Sequence, residues 1–335
     1  MSTWLVTGGA GYIGAHVVRA FRAAGTGVVV LDDLSSGHAD FVPEGVPFVR
    51  GSVLDTALVA DTLRAHDVAG VVHVAGFKYA GVSVSRPLHT YAQNVTGTAS
   101  VLQAMADTGV AAIVFSSSAA VYGTPDVDVV TEQTTTAPQS PYGESKLVAE
   151  WLIRDQARAT AQDAHPLRHT SLRYFNVVGS GYDDVEDTSP HNLLPLVFDA
   201  LLEGRPPRIY GDDYPTPDGT CVRDYVHVAD LALAHLSAAR ALEVGDPLQA
   251  VYNLGSGTGS SVRQIMAAAV EVTGIGLEPQ VVDRRPGDPA RIVAAGDAAA
   301  RDLGWAMRHD VREMVASAWR ARTSRRPPTA PPRAR

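Results

Sequence analysis

Trp4-Leu5-Val6-Thr7-Gly8-Gly9-Ala10-Gly11-Tyr12-Ile13-Gly14 stands at the head of the chain, and its physical demands decide the fold. Four residues of strand character run into glycines at 8, 11 and 14, and a helical pattern begins at once. Glycines so placed permit a tight turn, close approach of backbone to a pyrophosphate, and close helix packing, while the helix N-terminus favours phosphate charge. Working outward, a second strand ends at Leu31-Asp32-Asp33, about 20 residues on, as a dinucleotide fingerprint requires. Asp32 would accept hydrogen bonds from an adenosine ribose and repel a 2′-phosphate, which points to NAD and away from NADP.

The rest of the first third repeats the alternation. Trp4 to Thr7, Val28 to Asp32, Phe48 to Arg50, Gly70 to Val74 and Ala112 to Ser116 read as strands, with helical segments such as His16 to Ala24 and Ala57 to Ala65 between them. That order predicts an α/β fold, a Rossmann-type doubly wound parallel sheet covered on both faces. From Ser180 onward proline and glycine gather in Arg205 to Gly219 and Arg285 to Pro289, as expected of a smaller α/β substrate domain rich in loops. The expected division gives residues 1–175 and 218–255 to the NAD-binding domain and 176–217 and 256–322 to the substrate domain, with 323–335, rich in proline and arginine, as a disordered tail.

Composition narrows the function. A net charge of −8 argues against general affinity for nucleic acid, which needs a basic surface to displace counterions. No apolar run approaches the ~18 residues that cross a bilayer, and no basic segment precedes the first apolar stretch, so a cytoplasmic protein without membrane contact is expected. Cys221, the single cysteine, has no partner for a disulfide or a metal site and reads as a small buried residue; no metal is expected. Of 28 basic residues 26 are arginine, and the two lysines are Lys78 and Lys146. A chain that uses arginine for ordinary surface charge keeps lysine where a compact ammonium with a movable pKa is needed.

Both lysines fall inside motifs. Ile113-Val114-Phe115 delivers Ser116-Ser117-Ser118 to the carboxyl end of a buried strand, where ligands of open α/β sheets bind. Downstream, Tyr142-Gly143-Glu144-Ser145-Lys146 opens a helical run, and a spacing of four puts Tyr142 and Lys146 on one face, a turn apart. A cation near 4 Å is worth up to ~4 kcal/mol at an effective dielectric of 20, or ~3 pKa units, so Lys146 and a positively charged nicotinamide could together bring a phenol of ordinary pKa ~10 toward neutrality. Tyr142 could then take a proton from a sugar hydroxyl as hydride leaves the same carbon, with Ser118 holding the oxygen.

Here a resemblance becomes specific. Ser116 to Gly123, Pro141 to Lys146, Arg173-Tyr174-Phe175-Asn176 and the long string from Tyr210 to Val228 resemble the UDP-galactose 4-epimerase family of extended short-chain dehydrogenases, and the likeness runs from Leu5 to about Trp319. It implies inversion of C4 of a UDP-sugar, UDP-glucose and UDP-galactose above all and otherwise their N-acetyl forms or a specialised nucleotide sugar, through a transient 4-keto sugar, by a homodimer. The implied catalytic residues are Tyr142 as base, Lys146 on the nicotinamide ribose and Ser118 on the reacting hydroxyl. The implied cofactor contacts are Gly8, Gly11, Tyr12, Ile13, Gly14, Asp32, Ser52, Val53, Ala75, Lys78, Asn94 and Phe175, with Tyr142 and Lys146. For the nucleotide sugar the resemblance implies Asn176 and Asn192 on diphosphate and sugar, Arg223 and Arg285 gripping the diphosphate, Asp288 on the uridine ribose, the backbone of Ile209 and Tyr210 facing the base, and Tyr225 beside them.

Departures from that pattern gather near the sugar. Ser52 replaces an acidic residue beside the adenine, Tyr79, Ala80 and Val82 replace a small-apolar pair and a glutamate, and Ile292 stands where some relatives carry tyrosine. The connection from Asn176 to Asn192 is also short. Related dehydratases place an Asp-Glu pair after the serine strand, and a related decarboxylase a glutamate, where this chain has Ala119 and Ala120, so elimination lacks its acid and base. A silent NAD-binding regulator would be expected to lose Tyr142, Lys146 or Ser118, and all three are present.

Overall fold

The computed structural model describes residues 2–285 and 288–325. In chain order its strands are β1 (Thr3–Thr7), β2 (Gly27–Asp32), β3 (Phe48–Arg50), β4 (Val68–His73), β5 (Ala112–Ser118), β6 (Arg168–Tyr174), β7 (Asn176–Val178), β8 (Arg208–Tyr210), β9 (Val222–Arg223), β10 (Tyr225–His227), β11 (Val251–Leu254), β12 (Ser260–Ser261), β13 (Gln280–Val282) and β14 (Arg291–Ile292). The helices are α1 (Tyr12–Ala23), α2 (Thr56–Ala65), α3 (Ala80–Ser85), α4 (Pro87–Tyr91), α5 (Gly97–Thr108), α6 (Pro141–Ala159), α7 (Leu193–Leu202), α8 (Val228–Val244), α9 (Val262–Thr273), α10 (Asp297–Leu303) and α11 (Val311–Arg325).

Seven strands form one sheet in the order β11-β6-β5-β4-β1-β2-β3, and every neighbouring pair is parallel. The five strands read from the first third are all present, their ends within two residues of expectation. Period two along β1 sends Trp4 and Val6 to one face and Leu5 to the other. The first face packs with Val17, Phe21 and Leu231 of α1 and α8, the second with Leu63, Met105 and Ile153 of α2, α5 and α6. Burial on both faces is why these strands read as continuous apolar runs. Chain order reverses at β1, whose neighbours are β2 and β4, and that reversal opens a crevice at the carboxyl ends of the strands.

A second group of elements lies over this crevice. β7 pairs with β10, β8 with β13, and β9 with β12 and β14, while α7, α9 and α11 enclose a separate core around Phe198, Ile265 and Met314. Two expectations are corrected. Helix α1 begins at Tyr12, not His16, because the glycine turn feeds straight into it. Helix α11 runs to Arg325, three residues into the segment read as a tail, since Arg325 donates to Asp184 O at 2.9 Å and pairs with Asp40. Residues 326–335 of that segment lie outside the described residues. Among the described residues no helix is long and apolar enough to cross a membrane.

Candidate active site

The crevice is a single cleft of about 1120 Å³ that reaches from the glycine turn to β8 and β9. At its floor each glycine answers a measurable constraint. A Cβ on Gly14 would stand 2.1 Å from Gly8 O, and one on Gly8, whose φ is +71°, would stand 2.7 Å from Ala75 N. Helix α1 starts at this point with Gly11 as its N-cap, no capping side chain and no acid in its first turn. Its first N–H groups therefore face the cleft without an internal acceptor. Asp32 lies across from them, its carboxylate held by Ala10 N at 3.0 Å and Leu34 N at 2.8 Å and raised in pKa by burial. An NAD molecule fits this donor set: free helix amides for its pyrophosphate, a fixed carboxylate for its ribose, and Lys78 on the cleft wall.

Beside the cradle sit the groups expected to react. Ser140 caps α6 by accepting from Gly143 N at 3.2 Å, and Pro141 occupies the first turn, so the helix starts just ahead of Tyr142. Tyr142 N donates to Ser83 Oγ at 3.1 Å, which ties α6 to α3. The Ser118 hydroxyl accepts from Ala120 N at 3.2 Å and neighbours the Tyr142 phenol. Burial pushes that phenol above its ordinary pKa, and the Ser118 contact acts in the opposite direction. Lys146, also buried, is lowered to about 8 by desolvation, with Glu150 opposing the fall. Its Nζ donates to Ser116 O at 2.9 Å. Among the protein's own groups, burial thus dominates the phenol, and the ammonium is turned toward the strand backbone.

A buried polar frame holds this corner. Glu150, one turn beyond Lys146, accepts from Arg173 Nε at 2.9 Å and from its terminal nitrogen at 2.6 Å, and Ser117 Oγ donates to the same carboxylate. Arg173 also donates to the Tyr122 hydroxyl at 2.9 Å, which donates to Asn253 at 2.7 Å. One ion pair thereby connects the catalytic helix, the serine strand and β6. On the other side of the cleft, Arg285 lies 3.8 Å from the Tyr210 ring centroid, and this neighbour lowers the phenol's pKa. Arg223 donates to Pro289 O at 2.7 Å and faces Asp288 at 3.6 Å.

Residues 4–255 match the family model described as "NAD dependent epimerase/dehydratase family". The chain belongs to that family. Among curated members of the NAD-dependent epimerase/dehydratase family, UDP-glucose 4-epimerase of Azospirillum brasilense is 43% identical over 91% of this chain and 87% of its own length. That of Streptomyces lividans is 43% identical over 94% of each. Among solved structures, a UDP-glucose 4-epimerase aligns with a TM-score of 0.91 at 39% identity, covering 97% of this chain and 98% of its own. The Brucella ovis enzyme in complex with NAD aligns at 0.90 and 37%, covering 95% and 97%.

Set in this family, most of the site residues read from the sequence meet in the cleft: Gly8, Gly11, Tyr12, Ile13, Gly14, Asp32, Val53, Ala75, Lys78, Tyr142, Lys146 and Phe175 toward the cofactor side, Asn176, Asn192, Ile209, Tyr210, Arg223, Tyr225, Arg285 and Asp288 toward the other. Three do not line it. Ser52 uses its hydroxyl to accept from Leu54 N at 3.2 Å. Asn94 is buried in a π-helical turn, where its amide clips Phe77 N and O and donates to Ser145 Oγ at 2.8 Å, so it braces the loop bearing Lys78 while Gln93 faces the cleft. Ser118 meets the site through Tyr142. Residues that the sequence did not single out, Tyr174, Asp187, His191 and Gln93, also line the cleft. Tyr174 was available as the neighbour of Phe175 in a quoted motif; Asp187 and His191 sit in a loop without a pattern.

Proposed function

We propose that this protein is an NAD-dependent 4-epimerase of a UDP-sugar, with UDP-glucose and UDP-galactose as its pair. The observation that carries the reading is the meeting of Tyr142 and Lys146 beside a dinucleotide cradle, with Ser118 neighbouring Tyr142, in one cleft with the arginines and tyrosines of the second lobe. Bound NAD would supply reversible acceptance of two electrons and a hydrogen at sugar C4. Tyr142 takes the proton of the C4 hydroxyl, and Ser118 holds the oxygen as it becomes a carbonyl. Lys146, a helical turn away, and the cationic ring brought by the cofactor favour the phenolate against its burial. When the keto sugar presents its other face, the same phenol returns the proton.

Arg223, Arg285, Asn176 and Asn192 bind the diphosphate, and Asp288 binds the ribose, which also neutralises Arg223 until substrate arrives. Ala119 and Ala120 occupy a short turn after β5, leaving no carboxylate there for elimination. Val84, Leu88 and Trp151 are exposed on α3, α4 and α6, which pack together, and we place a second copy of the chain on that face, in the cytoplasm. The test is NMR of purified protein with each UDP-sugar and no added NAD. Interconversion at C4 is the expected result; inertness toward every UDP-sugar, with NAD then supplied, would refute the proposal.

A further inference from the structure

Tyr79 stands at the end of the loop after β4, and His191 on the segment that enters α7, so they belong to opposite walls of the cleft. Their rings meet edge to face, with centroids 5.0 Å apart and planes at 71°. Phe77 packs edge-on against Tyr79 at 5.4 Å and against His89 at 5.1 Å, and Lys78 Nζ lies 5.6 Å from the Tyr79 centroid. Each wall is braced on its own. Asn94 holds Phe77 at both N–H and C=O, while Asp187 accepts from Asn192 Nδ2 at 2.7 Å and Ser189 N at 3.0 Å, fixing the turn that carries His191. The contact therefore joins two stiff supports across an opening, with His191 exposed on its outer side.

Its place along the cleft follows from its neighbours. The loop that ends in Tyr79 leaves β4 against the glycine turn, where a Cβ on Gly8 would stand 2.7 Å from Ala75 N. The ring pair is thus on the stretch of rim nearest the glycine turn, where a dinucleotide pyrophosphate belongs.

We propose that Tyr79 and His191 form a clasp over the cleft that slows escape of bound dinucleotide, an inference that rests on the cofactor reading above. Release requires the two rings to part. An edge-to-face contact of ordinary strength then slows release by about two- to twelvefold. The ring, not the hydroxyl, makes the contact.

The experiment starts from holoenzyme loaded with NAD and measures the release rate by trapping freed NAD with an excess of a second dehydrogenase. Tyr79→Ala and His191→Ala should each release NAD about two- to twelvefold faster than the parent protein. Tyr79→Phe should release it at the parent rate. The double variant should be no faster than the faster single variant, because both substitutions delete one contact. Parent-like release from Tyr79→Ala, or full multiplication of the two effects in the double variant, overturns the clasp. A parent protein that binds no NAD at all overturns the cofactor reading, and the clasp with it.

Discussion

Acidification from about pH 7.5 to about pH 5.5 is expected to remove much of this fold's stability, because four histidines are buried in neutral form. His16, His73, His227 and His235 are all at most 1% exposed. Burial lowers His16, His227 and His235 to about 4 and His73 to about 3. Hydrogen bonds assign each tautomer. His16 Nδ1 donates to Tyr12 O and Nε2 accepts from Gly181 N; His235 Nδ1 donates to Leu231 O and Nε2 accepts from Ser116 Oγ. His227 Nδ1 accepts from Ala229 N. On β4, His73 Nε2 donates to Thr98 Oγ1 of α5, whose own proton goes to Asn94 O, and Nδ1 accepts from Thr7 Oγ1 of β1.

The sign follows from proton counting. Unfolded, each histidine titrates near 6.5; folded, it stays neutral to about 4 or below, so below pH 6.5 the unfolded chain binds more protons and stability falls with pH. At pH 5.5 each site costs about 1.4 kcal/mol, and four together about 5–6 kcal/mol, comparable with the whole stability of an ordinary domain. Asp32, Asp187 and Asp224, raised by burial, oppose this by protonating first in the folded state. Urea unfolding followed by circular dichroism across this range should show a stability slope equivalent to uptake of about three to four protons near pH 5.5. His16→Asn should lower that slope by about one proton. A flat profile between pH 7.5 and 5.5 would refute the reasoning.

Tyr142→Phe should lower kcat by about 10²- to 10⁴-fold while NAD stays bound, checked by steady-state rates and the cofactor content of the purified variant. Arg173→Met leaves Glu150 buried without its partner and should cost about 3–5 kcal/mol, read from urea midpoints; an unchanged midpoint would show that the pair is not a structural tie. Gly14→Ala places a methyl 2.1 Å from Gly8 O, so the glycine turn must shift. Its NAD affinity, measured by calorimetry, should fall by at least about tenfold, with parent-like affinity as the contrary result.

Much of this was legible along the chain because it is local. The glycine turn, the aspartate at the end of β2 and the Tyr142–Lys146 pair each depend on residues a few positions apart, and period and spacing report such arrangements directly. Electrostatics and enclosure are different, since they depend on what arrives from distant segments. That burial would raise Tyr142 and turn Lys146 to Ser116 O followed from β5 lying beside α6. Asn94 read as a cofactor contact, yet its π-helical turn aims it at Phe77 and Ser145, and Gln93 takes the cleft. Tyr79 meets His191 because two loops 112 positions apart face each other across the cleft, and no periodicity in either loop records the other. Sequence determined the chemistry carried by each element; only the packed fold decided which side chains share a solvent-poor space, because desolvation and ring contact are properties of neighbours in space.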